Sequence, residues 1–237
     1  MTSHEQHMVA VITGASEGLG RALAHDLDRR GWTLVLDARD AARLAGSAGN
    51  LDHAHIIAGD VTDPGHRRML ADRAAELGGA SLLVNNASTL GASPQPPVAD
   101  LAPEVLEQVL RTNLEAPVAL IRLLLPQLRA THGTVLNITS DASVEAYPGW
   151  GAYGASKAAL DHVSRVLAAE EPELRVYALD PGDMRTRMHQ DAFPGEDISD
   201  RPPPEDVVPE VLALLDSDLP SGRHRAADVA APAGAVR

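Results

Sequence analysis

Tyr153 and Lys157 stand four positions apart in a segment, Ala152 to Glu170, whose apolar spacing predicts a helix. Side chains at i and i+4 project from one helix face, about one turn apart. A phenol ordinarily holds its proton to pKa ~10, and a neighbouring ammonium favours the phenolate. The pair could therefore serve as general acid toward a carbonyl oxygen, or as general base toward an alcohol in the reverse direction. Lys157 is also the only lysine of the chain, the other 19 of its 20 basic residues being arginine. A compact ammonium with three rotatable donors does what a planar guanidinium cannot. Pairs of this spacing also arise by chance on helices, so the weight of this one depends on its company.

Ser140 follows a β-branched run, Thr134 to Thr139, that predicts a strand. At the carboxyl edge of a parallel sheet its hydroxyl would face the crevice where ligands bind, and could donate to the same oxygen as Tyr153. Asn113 lies in a long predicted helix, Pro103 to Arg129, as a polar residue among apolar ones. Taken alone it is an ordinary helix asparagine.

A second constellation lies near the start. Val9 to Thr13 predicts a strand running into Gly14-Ala15-Ser16-Glu17-Gly18-Leu19-Gly20 and then into an apolar helical pattern. Glycines at a strand-to-helix turn let the backbone approach a pyrophosphate, whose charge is met by free N–H groups and the positive end of the helix dipole. A glycine-rich turn with only a packing role would read the same. The stretch also matches a G-x-S-x-G nucleophile elbow, but an elbow belongs after a mid-sheet strand and nothing else here supports hydrolysis. The second strand ends Asp37-Ala38-Arg39, where a nucleotide's ribose is read: an acid suits a 2′-hydroxyl and an arginine a 2′-phosphate. Asp60-Val61, after the third strand, could hold adenine, or Asp60 could cap the following turn.

These residues need a scaffold, and short apolar runs alternating with helical segments supply one. The predicted strands are Val9 to Thr13, Thr33 to Leu36, His55 to Ala58, Ser81 to Val84, Thr134 to Thr139 and Arg175 to Leu179, with a weak last strand near His224 to Val229. The predicted helices are Gly18 to Arg30, Asp40 to Ala45, Pro64 to Leu77, Pro103 to Arg129, Ala152 to Glu170 and Pro204 to Leu215. Asp63 before Pro64, and Asp100 a turn before Pro103, read as helix caps. Gly91 to Pro97 and Phe193 to Pro204 read as surface loops. This alternation predicts an α/β fold, a doubly wound parallel sheet in a single domain over residues 1–237.

The chain of 237 residues carries a net charge of −13 and no concentrated basic face, which argues against nucleic acid and anionic membranes as partners. It has no cysteine, which removes disulfides and thiolate chemistry. Met1 to His7 is polar, and the longest apolar stretch, Val118 to Leu125, is broken by Arg122, so a soluble cytoplasmic protein is expected. His53, His55, His66 and His132 lack metal-ligand spacing; they read as surface or turn residues, and no metal is expected.

The ordered set of Thr13-Gly14-x-x-x-Gly18-x-Gly20, Asp60-Val61, Asn85-Asn86-Ala87, Asn113, Ser140 thirteen positions before Tyr153, Tyr153-x-x-x-Lys157 and Pro181-Gly182 followed by Thr186 resembles the short-chain dehydrogenase/reductase family. The match runs from about residue 8 to residue 190. The resemblance implies a Rossmann-type sheet of about seven strands and NAD(P)-dependent interconversion of a carbonyl and an alcohol by hydride transfer. It implies a tetrad in which Tyr153 handles the proton, Lys157 binds the nicotinamide ribose and lowers the tyrosine pKa, Ser140 orients the substrate oxygen, and Asn113 holds a water of the proton relay. Gly14, Ser16, Gly18, Leu19 and Gly20 would line the pyrophosphate, Asn85 and Ala87 flank the adenosine ribose, and Pro181 and Thr186 contact the nicotinamide.

Ala38 at the position where NAD-using members place their acid, with Arg39 beside it, favours NADP over NAD; Asp37 and Glu17 stand against that. Ser88 replaces the glycine usual after Asn-Asn-Ala and would lie near cofactor or substrate. The substrate region would be about 183–204, with Met184, Met188, His189 and Phe193, while Tyr147 and Trp150 could wall an apolar pocket; packing roles fit all of these too. The family also implies a homodimer or homotetramer, for which Leu120, Leu123, Leu124, Val163 and Leu167 could supply a face. A catalytically silent NAD(P)-binding sensor or scaffold is the alternative, and a sugar-nucleotide epimerase would need more chain after the sixth strand.

Overall fold

The runs that read as strands are apolar on both faces, which a sheet tolerates only when helices cover both sides. The computed structural model, which describes residues 8–229, has that arrangement. Seven strands, β1 (Val9–Ile12), β2 (Thr33–Ala38), β3 (Ala54–Ala58), β4 (Ala80–Asn85), β5 (Thr134–Ile138), β6 (Arg175–Asp180) and β7 (Gly222–Arg225), form one parallel sheet in the order β3-β2-β1-β4-β5-β6-β7. The order reverses between β1 and β4. That switch opens a crevice beyond the carboxyl ends of the strands.

Alternation along each strand divides the core in two. Ala10 and Ile12 of β1, with Leu34, Leu36, Leu136 and Tyr177, pack under helices α1 (Gly18–Arg29) and α8 (Pro204–Asp216). Val9 and Val11, with Val35, Val135 and Val176, pack under α3 (Pro64–Glu76) and α5 (Ala116–Thr131). Three members of the expected oligomer face, Leu120, Leu124 and Leu167, belong to this second core and are buried, because the i, i+4 stripe that suggested an interface is the stripe facing the sheet. Among the described residues no helix is long and apolar enough to cross a membrane.

Caps account for several boundaries. Asp63 accepts from Gly65 N–H (2.8 Å) and Asp40 from Arg43 N–H (2.9 Å), the latter opening α2 (Ala41–Ala48). Asp100 is not a cap: it ends a 3₁₀ turn, Val98–Asp100, and Ala102 precedes α4 (Pro103–Leu110) without a capping side chain. The helix expected over Pro103 to Arg129 is interrupted by a π-helical turn, Arg111–Glu115, between α4 and α5. Pro117 has no N–H for the carbonyl four residues back, and the apolar run continues through this stretch without a break that would mark the extra residue in the sequence. The last strand starts two residues earlier than expected and ends four earlier, at Arg225, and Ala226–Asp228 forms a 3₁₀ turn; the tail beyond residue 229 and the N-terminal Met1 to His7 lie outside the described residues. A short helix, α7 (Arg187–Ala192), capped by Thr186, occupies part of the expected substrate loop.

His66 is buried, not a surface residue. Its Nε2 lies 2.5 Å from Asp37 Oδ1, and both side chains are at most 5% exposed. The ring fits because position 59 is glycine, where a Cβ would collide with it. Replacing His66 with Ala strands the Asp37 carboxylate in the core and should cost about 3 kcal/mol of stability. Urea unfolding of His66→Ala against wild type measures this, and a loss below ~1 kcal/mol would show that the pair holds nothing together.

Candidate active site

The crevice is a single cleft of about 860 Å³. Its first wall is the glycine turn between β1 and α1, where Gly14 (φ +68°) and Gly18 (φ +59°) adopt backbone that favours glycine. A Cβ at Gly14 would also lie 2.9 Å from Asn86 Nδ2 and 3.0 Å from Ala87 Cα. Gly14, Ser16, Gly18 and Leu19 line the cleft. Gly20 does not; a Cβ there would lie 2.5 Å from both Gly14 O and Asn86 Nδ2, so its part is to let α1 press against the turn.

Asn86, which sequence reasoning passed over in favour of Asn85, ties the turn down. Its Nδ2 donates to Thr13 O (2.9 Å) and Gly14 O (3.1 Å), while Thr13 Oγ1 accepts from the backbone N–H groups of Asn86 and Ala87 (both 3.0 Å). Asn85 is buried away from the cleft, donating to Asn137 Oδ1 (2.8 Å), because successive strand residues face opposite sides. Ala87 and Ser88 follow into the cleft.

At the cleft's far end Ala38, Arg39, Asp60 and Val61 meet, as expected, with Arg43 and Glu17 beside them. Asp37 is committed elsewhere: its carboxylate takes His66 and the Gly14 N–H, so it has little to offer a ribose hydroxyl. Burial raises its pKa, and those hydrogen bonds work against the rise. Glu17 binds Arg43 NH1 (2.6 Å). Asp60 caps its turn, accepting from the Thr62 N–H and hydroxyl (both 2.8 Å). Burial pushes its carboxyl up, but the Thr62 bonds and the Arg39 charge outweigh that and leave it below the usual range.

Tyr153 and Lys157 project into the middle of the cleft from α6 (Gly151–Glu170). Lys157 Nζ donates to the Ile138 carbonyl at the end of β5 (2.8 Å) and sits 5.5 Å from the centre of the Tyr153 ring. Burial pulls Lys157 down to about 8, against the attraction of Asp161. Burial pushes Tyr153 up to about 12, and hydrogen bonds with Ser88 and Ser140 oppose it. Ser140 Oγ also donates to Asp141 Oδ1 (2.9 Å).

Asn113 falls in the π-helical turn and does not line the cleft. Its Oδ1 accepts from Thr89 N–H (2.9 Å) and Ser88 Oγ (3.2 Å), and its Nδ2 donates to Thr89 O (2.9 Å) and Ser156 Oγ (3.0 Å). The side chain is fully engaged, so it has no free donor or acceptor to offer the water expected of it.

Leu90, Ala142, Trp150, Met188 and Ala192 gather around Tyr153 as an apolar wall. Trp150 meets Tyr153 edge-on (5.6 Å between centres) and Phe193 at 5.7 Å. Tyr147 stands outside the cleft; its hydroxyl donates to Asp141 Oδ2 (2.9 Å) and only its ring edge reaches Trp150. Pro181, Thr186 and Met188 do line the cleft. No cluster of metal-ligating side chains occurs among the described residues.

A family model described as short chain dehydrogenase matches residues 8–197. The chain belongs to the short-chain dehydrogenase family. Accordingly it is an NAD(P)-dependent oxidoreductase. This short-chain dehydrogenase is 31% identical to the uncharacterized oxidoreductase YciK of Escherichia coli, over 89% of this chain and 86% of that one. It is 35% identical to sepiapterin reductase of Xenopus laevis, over 77% and 76%. Its fold matches a short chain dehydrogenase of Shigella flexneri solved in complex with NADP, with a TM-score of 0.86 at 29% identity, covering 93% of this chain and 97% of the other.

The Asn113 contacts generate a test. Asn113→Ala leaves the half-buried N–H and carbonyl of Thr89 without the Asn113 side chain, and should lower stability by about 1–3 kcal/mol. Denaturant midpoints at constant slope would report it, and an unchanged midpoint would mean that the π-helical turn is held by other contacts.

Proposed function

We propose that this enzyme interconverts an apolar ketone or aldehyde and its alcohol with NADP(H), using Tyr153 as the proton donor and acceptor. The observation that carries the reading is that Tyr153, Lys157, Ser140 and Ser88 line the same cleft as the glycine turn and two arginines, with Tyr153 and Lys157 one helical turn apart. The cleft fits a dinucleotide: glycines leave space for a pyrophosphate against the start of α1, and Arg39 and Arg43 offer cations where a 2′-phosphate would lie. Gly14, Ser16, Gly18 and Leu19 would hold the pyrophosphate, Ala38, Arg39, Val61 and Ala87 the adenosine, and Lys157, Pro181 and Thr186 the nicotinamide half. The cofactor, when bound, supplies the hydride.

The polypeptide's share is position and proton. Ser140 and Ser88 orient the substrate oxygen, and Tyr153 Oη gives it a proton as the carbonyl becomes an alcohol. A phenol held near 12 keeps its proton at neutral pH, which suits reduction. The Leu90, Trp150 and Met188 wall favours an apolar substituent beside the carbonyl. Exposed Val118 and Val166, with Leu123 and Val163, leave an apolar strip for a second copy in a homodimer or homotetramer.

Tyr153→Phe should cut turnover by about 10²–10⁴ while NADPH still binds, as seen by nicotinamide absorbance and fluorescence titration; full turnover in that variant rejects the role. Because Lys157 loses its proton as pH rises through about 8, kcat/KM for reduction should be level below that pH and decline above it, and a profile level to pH 10 would count against the lysine. NADP⁺ should bind more tightly than NAD⁺. Glu17→Gln, by releasing Arg43 from its carboxylate, should widen that difference, and equal affinities in wild type would refute the cofactor assignment.

A further inference from the structure

Behind the Tyr153–Lys157 pair lies a group of charges that the sequence spacing does not connect. Arg223, on the edge strand β7, reaches across the end of β6. Its Nε donates to Asp161 Oδ2 (3.2 Å), and its NH2 group to Asp180 Oδ2 (3.0 Å) and to the backbone carbonyl of Ser140 (3.2 Å). Asp161 is one turn beyond Lys157 on α6, and Asp180 closes β6 just before Pro181. Both acidic side chains are at most 7% exposed. Ser143 Oγ donates to Asp161 Oδ2 (2.6 Å) and Gly182 N–H to Asp180 Oδ1 (3.0 Å), while Asp161 Oδ1 is buried without a hydrogen-bond partner.

We propose that Arg223, Asp161 and Asp180 are positioning residues of the proton-transfer site: Arg223 braces the Ser140 carbonyl, and the one negative charge left over in the trio keeps the Lys157 ammonium cationic beside Tyr153. The proposal rests on the reading of Tyr153 and Lys157 as the proton-transfer pair. Two carboxylates and one guanidinium sum to a single negative charge, and the Lys157 ammonium brings the buried group to neutrality. Buried charges persist only when so compensated. A simple staple between β7 and α6 needs one acid and one arginine; the second acid and the Ser140 contact are what a staple alone leaves unexplained.

The charged groups acting on the pair come from every neighbouring element: Asp161 from α6, Asp141 from the turn after β5, Asp180 from β6 and Arg223 through both acids from β7. Burial works against the lysine's charge, and Asp161 is the group that supports it.

Because the chain holds one lysine, protein labelled with ¹³Cε-lysine gives one lysine NMR signal, whose pH titration reads Lys157 without any assay of turnover. Arg223→Met leaves the two acids less compensated and should raise the midpoint. Asp161→Asn, which keeps the shape, should lower it, each by about one pH unit or more. Asp180→Asn gives a second shape-preserving variant that should also lower the midpoint, so the test stands even if Arg223→Met fails to fold. In active protein the alkaline limb of the kcat/KM profile should move with the NMR midpoint. Midpoints unchanged in folded Asp161→Asn and Asp180→Asn, or moved upward, overturn the proposal. Loss of the functional reading shows differently, as wild type without turnover or Tyr153→Phe with full turnover, and leaves the lysine titration to judge the trio on its own.

Discussion

The nucleotide end of this structure depends on how closely the turn after β1 approaches the end of β4. Thr13 and Asn86 fasten the two with four hydrogen bonds, and glycine at positions 14 and 20 removes the atoms that would keep them apart. With the turn pinned there, α1 starts at a fixed place over the crevice, its free N–H groups directed at whatever lies in it. The same approach brings Ala87 and Ser88 off β4 alongside the turn. Ser88 in turn touches Asn113, and through Ser156 the bond network continues into the helix that carries Tyr153 and Lys157. Cofactor wall and proton-transfer site are thus linked by a short run of buried hydrogen bonds.

Electrostatics divides the cleft into two regimes. At its outer end arginines 39 and 43 face solvent among Glu17, Asp40 and Asp60, where water screens their pairings and leaves them exchangeable. Around Tyr153 and Lys157 the charges are buried, and each acts on the next with little screening. A phenol pushed to about 12 and an ammonium pulled to about 8 are both consequences of desolvation. Their ordinary order of ionisation is thereby reversed in the polypeptide: the ammonium is the first to give up its proton as pH rises.

Much of this was legible in the sequence because it rests on local rules. β1, β2, β4, β5 and β6 are apolar runs too consistent to be anything but covered strands, and the turn between β1 and α1 announces itself by its glycines. Tyr153, Lys157 and Ser140 were singled out by residue type and spacing, and took their weight from the ordered set of motifs around them. What stayed hidden depends on a single residue of register or on distant partners. Asn85 and Asn86 are chemically identical neighbours, and only the strand's alternation decides which faces the cleft. Asp37 and His66, 29 positions apart, or Arg223 and Asp161, 62 apart, become pairs only when the sheet assembles. The six-residue α7 is too short to show a period, and its cap, Thr186, had another plausible use.

The π-helical turn at Arg111–Glu115 carries a consequence for how such a chain could change over generations. It amounts to one residue more than a regular helix needs. Loss of a single codon in this stretch would let the helix close with ordinary bonding, while α5 kept its apolar side on the sheet. Everything before the deletion, α4 included, would swing by about 100° about the axis, and Asn113 would leave Ser88, Thr89 and Ser156. The architecture would survive and the site would not, so a lineage could retire the chemistry of this fold in one mutational step and keep the folded scaffold for other use.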